Sequence, residues 1–96
     1  MGHYVILSSF TDQGVKNLKD SPKRVEAFRK MVESAGGKLV LSLYTMGPHD
    51  FMAVVEIPSD EKLNEIVLKT AAAGNVRTLT LKAWTVEEFA SIAAKL

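Results

Sequence analysis

Residues 38 to 57 read Lys-Leu-Val-Leu-Ser-Leu-Tyr-Thr-Met-Gly-Pro-His-Asp-Phe-Met-Ala-Val-Val-Glu-Ile. Two runs of apolar, β-branched and aromatic residues flank Gly47-Pro48-His49-Asp50, four residues of turn chemistry, so the stretch predicts a β-hairpin. Both strands are apolar on both faces, and the rest of the chain has to supply cover for two surfaces.

Upstream, His3 to Phe10 is rich in β-formers and predicts a first strand. Thr11 to Asp20 reads as a loop with one short helical turn. Ser21-Pro22 reads as an N-cap followed by proline at the first helical position, where its missing N–H costs nothing. Val25, Phe28, Met31, Val32 and Ala35 then recur at helical spacing, and Gly36-Gly37 stops that helix. Downstream, Pro58-Ser59 closes the hairpin and caps a second helix whose inner face is Leu63, Ile66, Val67 and Ala71. Gly74-Asn75 ends it. Val76 to Trp84 alternates as a last strand, and Thr85 to Glu88 forms a capping box. Trp84 is placed to staple onto Phe89 as the C-terminal helix buries Phe89, Ile92, Ala93 and Leu96.

The order is β-α-β-β-α-β plus a helix, an α+β, ferredoxin-like arrangement with an antiparallel sheet in the order 4-1-3-2 and a single domain over residues 1–96. Composition agrees with an ordinary globular protein: 47% of the 96 residues are hydrophobic and 24% charged. The absence of cysteine excludes disulfides, thiolate catalysis and cysteine-ligated metal, and fits a reducing compartment, so a cytoplasmic location is expected. No run approaches the roughly 18 apolar residues of a membrane span, and neither a secretion signal nor a lipid anchor is expected. A net charge of +1 gives no bulk attraction to nucleic acid or to a membrane.

Right-handed crossovers put both long helices on one face of the sheet. Sending Val5, Leu7, Leu39, Leu41, Leu43, Leu79 and Leu81 to the helices leaves Tyr4, Ile6, Val40, Tyr44, Met52 and Val54 on the other side. That face is too apolar to stay wet, and a second copy of the chain is its simplest cover.

Phe10-Thr-Asp-Gln-Gly14, Asn17-Leu-Lys-Asp-Ser-Pro-Lys-Arg24, Gly47-Pro-His-Asp50 and Gly74-Asn-Val-Arg-Thr78 resemble the small GYD-domain proteins of the dimeric α+β barrel superfamily. The resemblance covers nearly the whole chain and implies two ferredoxin-like sheets facing each other as a homodimer or a higher homo-oligomer. His49 stands where the family usually has tyrosine. No reaction and no cofactor follow from it, although similar barrels include cofactor-independent monooxygenases and isomerases that act on apolar or aromatic small molecules.

The topology predicts that Ser9 to Asp20, Gly47 to Asp50 and Gly74 to Arg77 meet at one rim. There His49 and Asp50, near Arg77, Asn75 and Ser9, are the candidate acid–base groups; the alternative is that Asp50 caps turn N–H groups and His49 is a polar loop residue. A metal is not expected, because His3 and His49 lie at opposite ends of the sheet, roughly 20 Å apart at the rise of a strand. The barrel interior is expected to carry Tyr4, Ser42, Tyr44, Glu56, Thr78, Thr80 and Lys82 among Met46, Met52, Val54 and Ile6, with Arg77 at the rim as a further ligand-binding candidate. That mixture suits a small organic ligand, or else the groups pair across a subunit interface, with Glu56 and Lys82 neutralising each other. Lys16, Lys19, Lys23 and Arg24 gather ahead of the first long helix as an anion site or a solvated basic patch. The expected function is small-molecule binding or interaction, with the enzyme as the alternative.

Overall fold

The computed structural model describes residues Met1–Leu96. Strands β1 (Gly2–Phe10), β2 (Lys38–Tyr44), β3 (Phe51–Ile57) and β4 (Val76–Ala83) form one antiparallel sheet in the order β2-β3-β1-β4. Helices α2 (Ser21–Ser34) and α3 (Asp60–Ala72) cover one face, while α1 (Asp12–Lys16) and a 3-10 turn (Leu18–Asp20) lead from β1 into α2. A last helix, α4 (Val86–Ala93), follows β4. The core lies between sheet and helices, where Ile6, Ala53, Val55 and Ile57 meet Val32 of α2 and Leu63 and Ile66 of α3.

Register corrects the assignment of faces. Tyr4 is opposite Val55 and Lys82, Ile6 opposite Ala53 and Thr80, and Ser8 opposite Phe51 and Thr78, so the even-numbered residues of β1 point at the helices. Tyr4, Ile6 and Ser8 are all buried. Val5 and Leu7 point away instead. In β2 the pairing slips between Leu39 and Leu41, so Val40 is the extra residue of a bulge. Leu39 therefore reaches the core, whereas Leu41 and Leu43 turn outward and Ser42 and Tyr44 inward. A shift of one residue moves a whole strand's side chains to the other face, and pairing between strands distant in sequence is set by packing that no local pattern records.

Three local expectations also change. Ser21 is already helical; Asp20 precedes α2, and the Ser21 hydroxyl lies 2.8 Å from the Tyr44 hydroxyl. The stretch from Thr11 to Asp20 is more regular than a loop: the Thr11 side chain caps α1 by accepting from the Gly14 N–H at 3.1 Å. Thr85 and Glu88 do make the capping box of α4, yet none of that helix's residues is buried. Phe89, Ile92 and Leu96 stay exposed, since α4 packs on neither the helix layer nor the sheet.

The result is thin. Its extents are 49 × 30 × 18 Å, the last being one sheet and one helix layer, and its radius of gyration is 14.3 Å. A compact chain of this length has about 13 Å. Twelve of 96 residues are buried, a small core for a domain of this size.

Candidate functional site

The rim assembles as the topology requires. Asp50 donates its N–H to the Ser8 carbonyl at 2.8 Å and accepts the Phe10 N–H on its carboxylate at 2.8 Å. Thr11 bonds to Asn75 and Gly74, by its N–H at 3.1 Å and its hydroxyl at 2.6 Å. His49 Nδ1 lies 3.5 Å from the Ser9 hydroxyl, and Ser9 sits opposite Arg77 in the sheet. Asp50 is thus occupied in joining the hairpin to β1 rather than in orienting His49, which is the turn-capping alternative. Nothing else converges on the imidazole.

The seven residues expected to share an interior are divided between the two faces, with Thr80, opposite Ile6, on the helix side. Tyr4, Ser42, Tyr44 and Thr78 lie on the helix side, as does Lys82; Glu56 lies on the open side, and so does Arg77 of the rim. Glu56 and Lys82 therefore do not neutralise each other. Lys82 Nζ is 2.9 Å from the Asp60 carboxylate, at the start of α3, and 5.3 Å from the centre of the Tyr4 ring. The Tyr4 hydroxyl donates to the same carboxylate. The Lys82 ammonium, and then the Tyr4 hydroxyl, hold the Asp60 carboxyl below the ordinary carboxylate range. Asp60 in turn raises the Tyr4 phenol, with burial adding to it, and raises Lys82. This group ties β1, β4 and α3 together. Glu56 stands instead 3.8 Å from His3, whose other ring nitrogen is 3.5 Å from Glu88 of α4.

Two features remain that can bind something. Between the inner sheet face and helices α2 and α3 is a cavity of about 250 Å³. Its walls include Ile6 and Ala53 from the sheet, Phe28 and Met31 from α2, and Val67 of α3, with Ser8, Ser21, Arg24 and Thr78 as polar points. Sequence reasoning misses this cavity because it turns β1 over; it names Arg24, with the lysines before it, as part of an anion site or a solvated patch, but not as a group lining a cavity. No local signal in the sequence gives the face of β1; it follows from the pairing of Tyr4 with Val55 across the sheet.

The open sheet face is the second feature. Leu41, Val54, Val5 and Leu81 form one row across all four strands, and Leu43, Met52, Leu7 and Leu79 form the next. His3 and Glu56 bound these rows at one end and Ser9 and Arg77 at the other. The four edge leucines are between 45% and 52% exposed. An apolar centre inside a polar rim is the anatomy of a protein interface. No helix of the chain is long and apolar enough to cross a membrane.

Comparison with known proteins decides the family. The GYD domain profile matches residues 4–93. The chain belongs to the GYD domain family. It is 33% identical over 84 residues to the glutamine synthetase and cystathionine β-lyase binding protein of Thermus thermophilus, with 86% of this chain and 88% of that protein covered. Among solved structures it is similar to a feast or famine regulatory protein of Mycobacterium tuberculosis complexed with L-methionine. That match has a TM-score of 0.67 and 15% identity, and covers 90% of this chain but only 52% of the regulator. A Thermus thermophilus protein of known structure is matched at a TM-score of 0.55 and 22% identity, over 90% of this GYD chain and 96% of its own length. These two likenesses establish the ferredoxin-like α+β fold.

Proposed function

We propose that this GYD protein is a non-catalytic interaction module, in which copies pair through their open sheet faces into an α+β barrel and the assembly docks onto a partner protein. The open face carries the proposal. Burying the exposed half of its four edge leucines alone contributes about 3–6 kcal/mol, before Val5, Leu7, Met52 and Val54 are counted. That is a sizeable share of the roughly 8 kcal/mol that a micromolar complex requires. The binding name of the Thermus relative supports the second step, and points to a metabolic enzyme of the glutamine synthetase kind as the partner.

Native mass spectrometry at about 1 µM tests the pairing, with a dimer or a multiple of it expected. Biolayer interferometry against purified glutamine synthetase and cystathionine β-lyase tests the docking. A monomer at that concentration overturns the first step, and absence of saturable binding to both enzymes overturns the second.

A further inference from the structure

We propose that the cavity under α2 and α3 is a binding site for a small aromatic or branched aliphatic carboxylate, separate from the open sheet face. Size sets the first limit. An apolar cavity of about 150 Å³ takes up benzene, so 250 Å³ holds a ring and a short acidic arm. The lining sets the second: most of it is aliphatic or aromatic, and an apolar body is held there by exclusion of water.

Charge fixes the class. Among the 18 lining residues are Arg24 and Lys69 but no aspartate or glutamate. Arg24 donates Nη1 to the Asn17 carbonyl at 2.9 Å, while its Nη2 is shut off from water and has no acceptor. A buried guanidinium N–H without an acceptor is costly, and a carboxylate in the cavity supplies the acceptor in the charge-assisted form that guanidinium favours once the Arg24 side chain turns toward it. Ser8 is itself buried in the wall and makes no side-chain hydrogen bond within the protein, so its hydroxyl is free to complete the carboxylate's shell. Ala27 of α2 and Ala73 beyond α3 are lining residues that are also exposed, which puts them where the cavity meets solvent and a larger side chain would narrow its mouth. The same lining argues against amino acids. An α-ammonium would enter beside Arg24 and Lys69 with no carboxylate to receive it.

Three probes on one carbon skeleton test this: 3-phenylpropanoate, its neutral amide and L-phenylalanine, titrated into 15N-labelled protein and followed by NMR. The acid is expected to saturate below about 1 mM and to shift the amides of Ile6, Ser8, Phe28 and Thr78. The amide and L-phenylalanine are expected to bind about tenfold more weakly or less. Arg24→Gln should lower the affinity for the acid about tenfold and leave that for the amide within about twofold. Ala27→Trp, an exposed position at the mouth, should abolish binding of all three. The proposal is overturned if acid and amide bind alike, if either variant leaves the acid's affinity unchanged, if the shifts map around Val54, or if no probe saturates by about 10 mM. Assembly is recorded on the same samples, so loss of pairing and loss of ligand are read separately.

Discussion

Gly14 shows what one hydrogen atom can decide. It is buried where α1 passes beneath the loop after α3, and a Cβ at that position would stand 2.0 Å from the Asn75 carbonyl oxygen. That oxygen is the acceptor of the Thr11 N–H, so it cannot retreat without breaking the bond that anchors the rim. Gly14→Ala should therefore lower the free energy of unfolding by about 1–3 kcal/mol in urea titration, the usual cost of overpacking. Asp60 offers a test by pH. Its folded carboxyl titrates below its unfolded value, so its stabilisation is complete above about pH 4 and disappears as pH falls through the depressed folded value. Lys82 and Tyr4 titrate above their unfolded values, so their share is complete below about pH 10 and is lost as pH rises further. The stability difference between wild type and Asp60→Asn should thus be flat through the neutral range and shrink at both ends. The sequence places Asp60 in the first turn of a helix, where charge suits the dipole; that a strand-borne lysine and tyrosine reach it depends on the face of β1, which only the register reveals.

Elements were more legible than their orientation. The hairpin, both long helices and the alternation of β4 follow from periodicity and from Gly36-Gly37, Pro58-Ser59 and Gly74-Asn75, and the structure has all of them. The bulge at Val40 had no glycine or proline to announce it, yet it sends Leu41 and Leu43 outward while Leu39 stays in the core. Helix α4 was legible as a helix and illegible as an arm. Its capping box is intact, with the Glu88 N–H donating to Thr85 Oγ1 at 3.0 Å and the Thr85 N–H to Glu88 at 2.7 Å. That second bond is the main reason why the Glu88 carboxyl titrates below its usual range. Because no residue of α4 is buried, the cap stabilises the arm rather than the domain. Thr85→Ala should speed amide hydrogen exchange across residues 86–93, consistent with a local cost of about 1 kcal/mol, and leave the exchange of β1 and β3 unchanged. Faster exchange in those core strands of the variant, or an unchanged rate in α4, would count against an independent arm.

At the scale of the whole molecule, a sheet covered on one side has a consequence for concentration. Val54 is in the middle of the open face, paired with Val5 on one side and Leu41 on the other, and its strand is flanked by neighbours on both edges. A lysine there can point into water in the isolated chain without disturbing the core on the opposite face. In a pair of sheets it would meet the apolar rows of the second copy with no acid to receive it, since Glu56, the nearest carboxylate of its own strand, is at the edge beside His3. Burying an unpaired ammonium costs several kcal/mol, comparable with what the edge leucines contribute. Val54→Lys should therefore sediment as a monomer at concentrations where the wild type is paired, while its far-UV circular dichroism stays the same. The melting temperature gives an independent reading, because a ligand that binds only the folded state raises stability by mass action and here that ligand is the chain itself. Wild-type melting should rise with protein concentration, and Val54→Lys melting should not. If both proteins melt at concentration-independent temperatures and sediment alike, the apolar rows of the open face are simply solvated, and docking to a partner enzyme has to be sought on the helices instead.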